Sequence, residues 1–348
     1  MIKIVLVAGP LDSSKSYEYH NFLKPLEKMG HYVIPFDFVT LMHSHGREKM
    51  NQKLLTLVEE HLPDIVLFVP HTDELIPDIV DKISGYTITL GYLFDDTWRI
   101  EYSRFWAQHF NFVTSSDING IRKFREIGCA NVIYSPFACN TDVYCKRNLP
   151  KIYDVTFVGQ YHPHREWYIN CLRKVGIEVH AWGLGWPSGM INSEDMIDIF
   201  NQSRINLNLS NCVSWDLRYL ITPFRPIKST LRAWRQVLHS IRRKDMKTWE
   251  MVKGRYYEIN ACGGFQLCHY AEGLEHMYSI GEEIVIYASP EDIIEKIRYF
   301  LKHEDERDFI AQRGYLRTQS HHTMEKRFQN IFEYFGSINM NLPNREVT

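Results

Sequence analysis

Short runs of apolar and β-branched residues recur along the first 135 positions, and stretches with helical spacing separate several of them. Ile2–Val7 predicts a strand, Tyr17–Met29 a helix closed by Gly30, and Tyr32–Phe38 a second strand. Arg47–Leu62 predicts a helix stopped by Pro63. Asp64–Val69 hardly alternates, as expected of a strand buried on both faces. Thr87–Phe94 and Phe110–Thr114 continue the series, followed by a helix over Ile118–Ile127 and a strand at Asn131–Tyr134. Strands alternating with helices predict a parallel sheet covered on both faces.

The polar, proline-bearing segment 146–151 (KRNLPK) reads as a domain linker, after which the rhythm restarts. Asp154–Val158, Glu178–Trp182, Arg204–Leu209, Phe265–Cys268 and Glu283–Tyr287 predict strands. Helices are expected through Cys171, from Ser193 as the capping residue, over Tyr256–Cys262, over Pro290–Leu301 and along 304–336. Residues 212–252 break the pattern and read as an insertion. The expected organisation is a first domain over 1–148, a second over 149–321, and a segment 322–348 whose helix returns to the first domain. The fold class is α/β, with two Rossmann-like domains facing a central cleft, because open α/β sheets bind ligands at the C-terminal ends of their strands.

Composition narrows the field. At 348 residues, 45% hydrophobic and 14% aromatic, each half has enough apolar side chains for its own core. A net charge of −2 gives no global reason to expect nucleic acid. Seven cysteines without a Cys-x-x-Cys argue against a disulfide framework or a zinc knuckle and fit reduced thiols. The opening MIKIVLVAGP reads as a strand, not a signal peptide, and no run of 18 apolar residues is present, so the expected location is cytoplasmic.

The most informative segment is 250–265, EMVKGRYYEINACGGF. Lys253 and Arg255 precede a short predicted helix, whose free N–H groups and partial positive charge favour phosphate. Arginine can grip a phosphate through two parallel bonds. Glu258, expected in the first helical turn, can accept hydrogen bonds from ribose hydroxyls. Gly263 and Gly264 end the helix and turn the chain into the next strand. Gly159 closes the first strand of the second domain, where backbone can approach a phosphate, and Arg165 follows on the next helix. His162 and His164 flank that loop without an acidic partner motif, so no metal site is expected. The glycine-rich stretch 183–189 lacks a dinucleotide register and reads as a cleft loop.

The stretches KGRYYEINACGGFQLC, GEEIVIYASPEDIIEKIRYFL and ERDFIAQRGYLRTQSHHTMEKR, with YDVTFVGQYHPHRE before them, resemble the CgeB-like (spore maturation protein-like) glycosyltransferases. These in turn resemble the GT-B glycosyltransferases with a Glu-x7-Glu pattern. The resemblance spans roughly 153–335; the first half shares only the strand–helix rhythm and the FDD turn at 94–96. It implies transfer of a sugar from a nucleotide-diphosphate-sugar donor to an acceptor hydroxyl, and because no Asp-x-Asp presents itself as a metal site in the second domain, no metal requirement is expected. The donor is then a co-substrate and no cofactor is needed. It also implies Glu258 near the donor ribose, Lys253 and Arg255 near the diphosphate, and Glu250, eight residues before Glu258, near the donor sugar. A nucleotide-sugar epimerase of the same architecture, or a non-catalytic nucleotide- or sugar-binding protein, are the alternatives.

An inverting transfer needs a base for the acceptor hydroxyl. Asp95 and Asp96 follow a predicted strand end, and two close carboxylates raise one pKa; a helix cap or turn is the plainer reading. His71, after another strand end, is the second candidate. Stereochemistry stays open. The charge is uneven: residues 225–255 hold ten Lys or Arg against two acids. Within 228–244, Leu231, Trp234, Leu238 and Ile241 share a helix face flanked by cations, including Lys228, Arg232, Arg235 and Arg242. Such a helix packs on its own protein or contacts a membrane surface peripherally on its inner face. The acceptor is then a glycan, lipid-linked or protein hydroxyl.

Overall fold

The computed structural model describes residues 1–12, 16–212, 218 and 250–338. The amphipathic helix expected at 228–244, and most of the insertion 212–252, lie outside the described residues. The chain divides into two compact units, Met1–Pro136 with the segment from Thr323 onward, and Phe137–His322.

The first unit is a six-stranded parallel sheet: β1 (Lys3–Ala8), β2 (Tyr32–Asp37), β3 (Ile65–Phe68), β4 (Ile88–Tyr92), β5 (Phe112–Ser115) and β6 (Val132–Tyr134). Its order is β2-β1-β3-β4-β5-β6. Every residue of β3, β4 and β5 is buried, which accounts for their apolar runs. A wide turn at Tyr19–Leu23 leads into α1 (Lys24–Lys28), followed by α2 (Phe38–His45), α3 (Arg47–His61), α4 (Pro77–Ser84), α5 (Asp96–Ala107) and α6 (Gly120–Arg125). The apolar pattern missed α2, α4 and α5. The expected strand Tyr32–Phe38 stops at Asp37, whose carboxylate caps α2 by accepting the Thr40 N–H at 3.0 Å.

The second unit carries β7 (Tyr153–Val158), α7 (Pro163–Lys174), β8 (His180–Trp182), α8 (Ser193–Gln202) and β9 (Ser203–Asn208). After the undescribed stretch come α9 (Gly254–Ala261), β10 (Gln266–His269), α10 (Leu274–Met277), β11 (Val285–Tyr287), α11 (Pro290–Lys302) and α12 (Glu304–His321). The five strands are parallel in the order β11-β10-β9-β7-β8. The cap of α8 is Asn192, one residue before the expected Ser193: its side-chain oxygen accepts the Asp195 N–H at 2.8 Å. A buried polar network crosses the middle of the sheet. The Thr156 hydroxyl donates to Ser203 Oγ at 2.8 Å and to Asn206 Oδ1 at 3.2 Å, and Asn206 Nδ2 donates to the Phe200 carbonyl at 3.2 Å.

The expected boundary inside 146–151 moves to 136/137, because that segment is tied into the second unit. The Arg147 N–H donates to Asn201 Oδ1 and its guanidinium pairs with Asp198 and Glu194, at 2.6, 2.6 and 2.5 Å. Lys151 donates to the carbonyls of Asn201 and Ser203 at 2.7 and 3.0 Å. At the other end, the helical tail breaks at His322, and Thr323 caps a new helix, α13 (Met324–Ser337). This helix packs within the first unit. Phe328 lies 5.8 Å from Phe22, Phe335 lies 4.9 Å from Phe112, and Arg327 Nε donates to the Pro136 carbonyl at 2.9 Å. None of the seven cysteines forms a disulfide, and no described helix is long and apolar enough to cross a membrane.

Phe328 is 1% exposed and contacts both Phe22 and Tyr92. Phe328→Ala should therefore destabilise the first unit by about 3–5 kcal/mol. Denaturant unfolding followed by hydrogen exchange should show protection lost along α13 and β1–β4 while β7–β11 keep theirs.

Candidate functional site

The second sheet reverses its order between β7 and β9, and open α/β sheets bind ligands outside the carboxyl ends of strands at such a reversal. Gly159 follows β7 there and Leu209–Asn211 follow β9. Arg165, two residues into α7, spans the reversal: Nε donates to the Leu209 carbonyl at 2.9 Å and Nη1 to the Gln160 carbonyl at 2.8 Å. Its guanidinium also lies 5.3 Å from the Phe157 ring centroid. The loop 183–189 closes on the same edge. Trp186 Nε1 donates to the Gly159 carbonyl at 2.9 Å. A side chain at Gly183 would meet that carbonyl oxygen at 2.2 Å, and φ there is +134°, so only glycine fits.

Glu250 is the hub of the charged groups. Its side chain is 6% exposed and accepts from Lys253 Nζ at 2.9 Å and from the Asn211 N–H at 3.2 Å. Burial alone pushes this carboxyl up, but Lys253, the Ser210 hydroxyl and Arg165 outweigh it and hold it at about 2. Lys253 Nζ also donates to Asn211 Oδ1 at 3.1 Å. Burial lowers the Arg165 pKa, with Glu250 acting against it and Arg255 with it, which places all three charges in one field. Lys253 is the residue before α9, so the helix directs its free N–H groups to this end.

Arg255 and Glu258 form a second pair, Nη1 to Oε2 at 2.7 Å, with side-chain exposures of 27% and 8%. The Arg255 guanidinium rests 5.2 Å from the Phe200 ring centroid and against Met196 Sδ. Because α9 starts at Gly254, Glu258 sits in the second turn and not the first. That places it roughly 6 Å further along the helix axis than Gly254. The structure thus brings Gly159, Arg165, Glu250 and Lys253 to one strand edge, with Arg255 in the first turn of α9 and Glu258 one turn on. Gly263 and Gly264 are not among them. They close α9 at its far end and lead into the N-terminal end of β10. Their role is packing: a side chain at Gly264 would meet Asn206 Nδ2 at 2.7 Å. Sequence reasoning missed Ser210 and Asn211, because the end of β9 carries no distinctive spacing and is identified only by its pairing with β7.

In the first unit the three acceptor-side candidates differ sharply. Asp96 is fully buried. It accepts the Ser103 hydroxyl and, at 3.1 Å, the Ser116 N–H, joining the loops after β4 and β5. Burial lifts its pKa to about 6 against hydrogen bonds from Ser103, Ser115 and Ser116, and Asp117 adds a smaller push. The expectation that a neighbouring Asp95 raises it is corrected: burial does so, and Asp96 is a loop tie. Asp95 is half-buried in the left-handed region at φ 62°. His71 follows β3, beside Glu18, Glu74 and Arg99. Among the described residues no group of three His, Cys, Asp or Glu side chains is arranged to hold a metal.

Residues 165–333 match the family model described as glycosyl transferase-like. No curated protein matches the chain. Solved structures align with nearly all of it. Sucrose-phosphate synthase from Thermosynechococcus elongatus is 9% identical, with 96% of this chain and 98% of that chain covered and a TM-score of 0.66. HepE from Anabaena in complex with UDP and glucose is 10% identical, covered at 97% and 100%, with a TM-score of 0.62. A Listeria monocytogenes structure assigned as a UDP-N-acetylglucosamine 2-epimerase is 11% identical, covered at 98% of each chain, with a TM-score of 0.56. At these identities the likeness shows the fold, which is that of the GT-B glycosyltransferases: two Rossmann-like domains with parallel sheets. Residues 165–333 thus carry the glycosyl transferase-like match, and the chain as a whole has that fold.

An acid whose folded pKa lies above its unfolded value costs stability once the pH passes the unfolded value. For Asp96 the penalty is absent below about pH 3.8, grows until about pH 6 and is constant above. Asp96→Asn should therefore gain on the parent across that window, by up to about 3 kcal/mol. The amide's misplaced donor adds an offset independent of pH. Denaturant midpoints of both proteins from pH 3.5 to 7.5 measure the slope; parallel curves would show that Asp96 carries no such burden.

Proposed function

We propose that the chain moves a sugar from a nucleotide-diphosphate-sugar donor to an acceptor hydroxyl without a metal, in the manner of the CgeB-like glycosyltransferases. The observation that carries this reading is the gathering of Arg165, Lys253 and the N-terminal end of α9 at the strand reversal of the second sheet, with Arg255 in the first turn of that helix. Charge builds on the leaving diphosphate as the glycosidic bond breaks, and preoriented cations and helix N–H groups stabilise it there. Glu258 would hold the ribose hydroxyls and Glu250 the donor sugar, so the Glu-x7-Glu spacing supplies one carboxylate for each end of the donor. Lys253 donates to Glu250 and Asn211, and a diphosphate competes with them for its ammonium. HepE, with UDP and glucose in its structure, is similar in fold, which supports a uridine donor. The acceptor is a glycan, lipid-linked or protein hydroxyl.

Hydrogen bonds to charged groups contribute about 1.5–3 kcal/mol, so losing one should weaken binding about 10- to 100-fold. Lys253→Ala should lose this for UDP while hardly changing affinity for uridine. Glu258→Gln should lose it for both. Titration calorimetry with uridine, UMP and UDP separates the two patterns, and Glu258→Gln binding UDP as tightly as the parent would remove the ribose assignment. Incubation with UDP-sugars and glycoside acceptors then tests transfer. A different free nucleotide sugar formed without acceptor would instead indicate an epimerase.

A further inference from the structure

Helix α12 buries one face, through Ile310, Ala311, Gly314 and Thr318, against the rest of the second unit. Gly314 sets its rotation, because a side chain there would strike the Glu283 carbonyl. The opposite line runs through Asp305, Phe309, Gln312, Leu316 and Ser320, spaced at four, three, four and four, and all five are exposed. Phe309 is 61% exposed and Leu316 56%. A helix whose outer face meets only water carries charge there, as the neighbouring α11 does with Glu291, Glu295, Arg298 and Lys302. From Phe309 to Ser320 the outer line of α12 is uncharged.

Charge stands around that strip instead. Glu304, Asp305 and Glu306 form the first turn of the helix. Arg313 pairs with Glu282 at 2.7 Å, and Arg317 lies 4.0 Å from Glu283. Tyr299 of α11 extends the strip on the side of Glu306, to which its hydroxyl donates at 2.7 Å. An aromatic and an aliphatic side chain in an uncharged strip, rimmed by charge, is the composition of a protein–protein contact.

We propose that this outer face of α12 docks on the same face of a second copy of the chain, the two helices running antiparallel about a two-fold axis beside Gln312. The surface is complementary to itself in that arrangement and not in a parallel one. Phe309 and Leu316 stand three and four residues to either side of Gln312, so a two-fold there lays each phenylalanine on the other copy's leucine. The acidic first turns then lie about 20 Å apart along the helices, more than two Debye lengths at physiological salt, whereas parallel helices would set them side by side. Each acidic turn meets instead the other copy's C-terminal half, which carries Arg317, and the two helix dipoles oppose. One helix pair with a tyrosine at its margin covers less than the about 800 Å² per partner of a standard interface, so the dimer should be of micromolar strength. This contact lies within the second unit, involves neither donor nor acceptor, and is independent of the transferase reading.

Sedimentation equilibrium of the full chain over about 1 to 200 µM should show a monomer–dimer equilibrium with a Kd of about 1–50 µM. Phe309→Glu and Leu316→Glu should each weaken it about 100-fold or more. Phe309→Gln should weaken it as well, while its circular dichroism and thermal midpoint match those of the parent monomer, because the ring is exposed there. Ser320→Lys tests the direction. In the antiparallel pair residue 320 faces residue 305 of the other copy, so the new ammonium meets Asp305 twice per dimer and association should tighten about 3- to 10-fold at low salt. Asp305→Lys in that background should abolish the gain. A parent that stays monomeric at the highest concentration overturns the proposal, whatever else covers the strip. A dimer left unchanged by both glutamate variants overturns it too, since its contact then lies elsewhere. A Ser320→Lys variant that associates less than the parent marks the helices as parallel and is equally fatal.

Discussion

A parallel sheet that extends first to one side of its opening strand and then to the other must leave a gap where the two directions part. No crossover helix covers that gap, because the helices leaving the two flanking strands pack on opposite faces. Both sheets are built under this constraint, β1 against β3 in one and β7 against β9 in the other. The candidate site residues are placed by it. Arg165 can join the Gln160 and Leu209 carbonyls only because β7 and β9 are neighbours. His71 and Glu18 meet because β1 and β3 are.

Charge at the second reversal is balanced within a short stretch of chain. Glu250 and Lys253 pair at i, i+3, as do Arg255 and Glu258. Leaving three cations unpaired near a helix N-terminus would repel and loosen them, and burying two carboxylates alone would protonate them. Pairing keeps both signs charged and in place. The same Glu-x7-Glu spacing therefore serves the protein as internal neutralisation.

The strands were legible because burial on both faces writes itself as near-continuous apolar runs such as Ile65–Phe68. The helices at 38–45, 77–84 and 96–107 were not legible in the same way. Each begins directly after a strand or loop, and α5 is interrupted at Arg99, whose backbone departs from helical geometry. Its apolar residues share its surface with Arg99, Glu101 and Arg104. The segment 146–151 looked like a linker because its residues are polar, yet that polarity is used in ion pairs and helix-end contacts of the second unit. On the site, side chains near α9 were accessible from composition and spacing. Ser210, Asn211 and Glu18 were not, since each meets its partner only across long stretches of chain.

The chain passes between its units at 136/137 and again at 322/323, and the Cys139 N–H donates to the His322 carbonyl at 3.3 Å. The second unit thus enters and leaves at nearly one point, like a bead tied into a string by a single knot. A body with adjoining ends can be exchanged as a cassette without rethreading either sheet, and insertion of whole domains succeeds at such places. Recombination at these two positions would let the first unit acquire a different second unit while every strand of both sheets kept its neighbours.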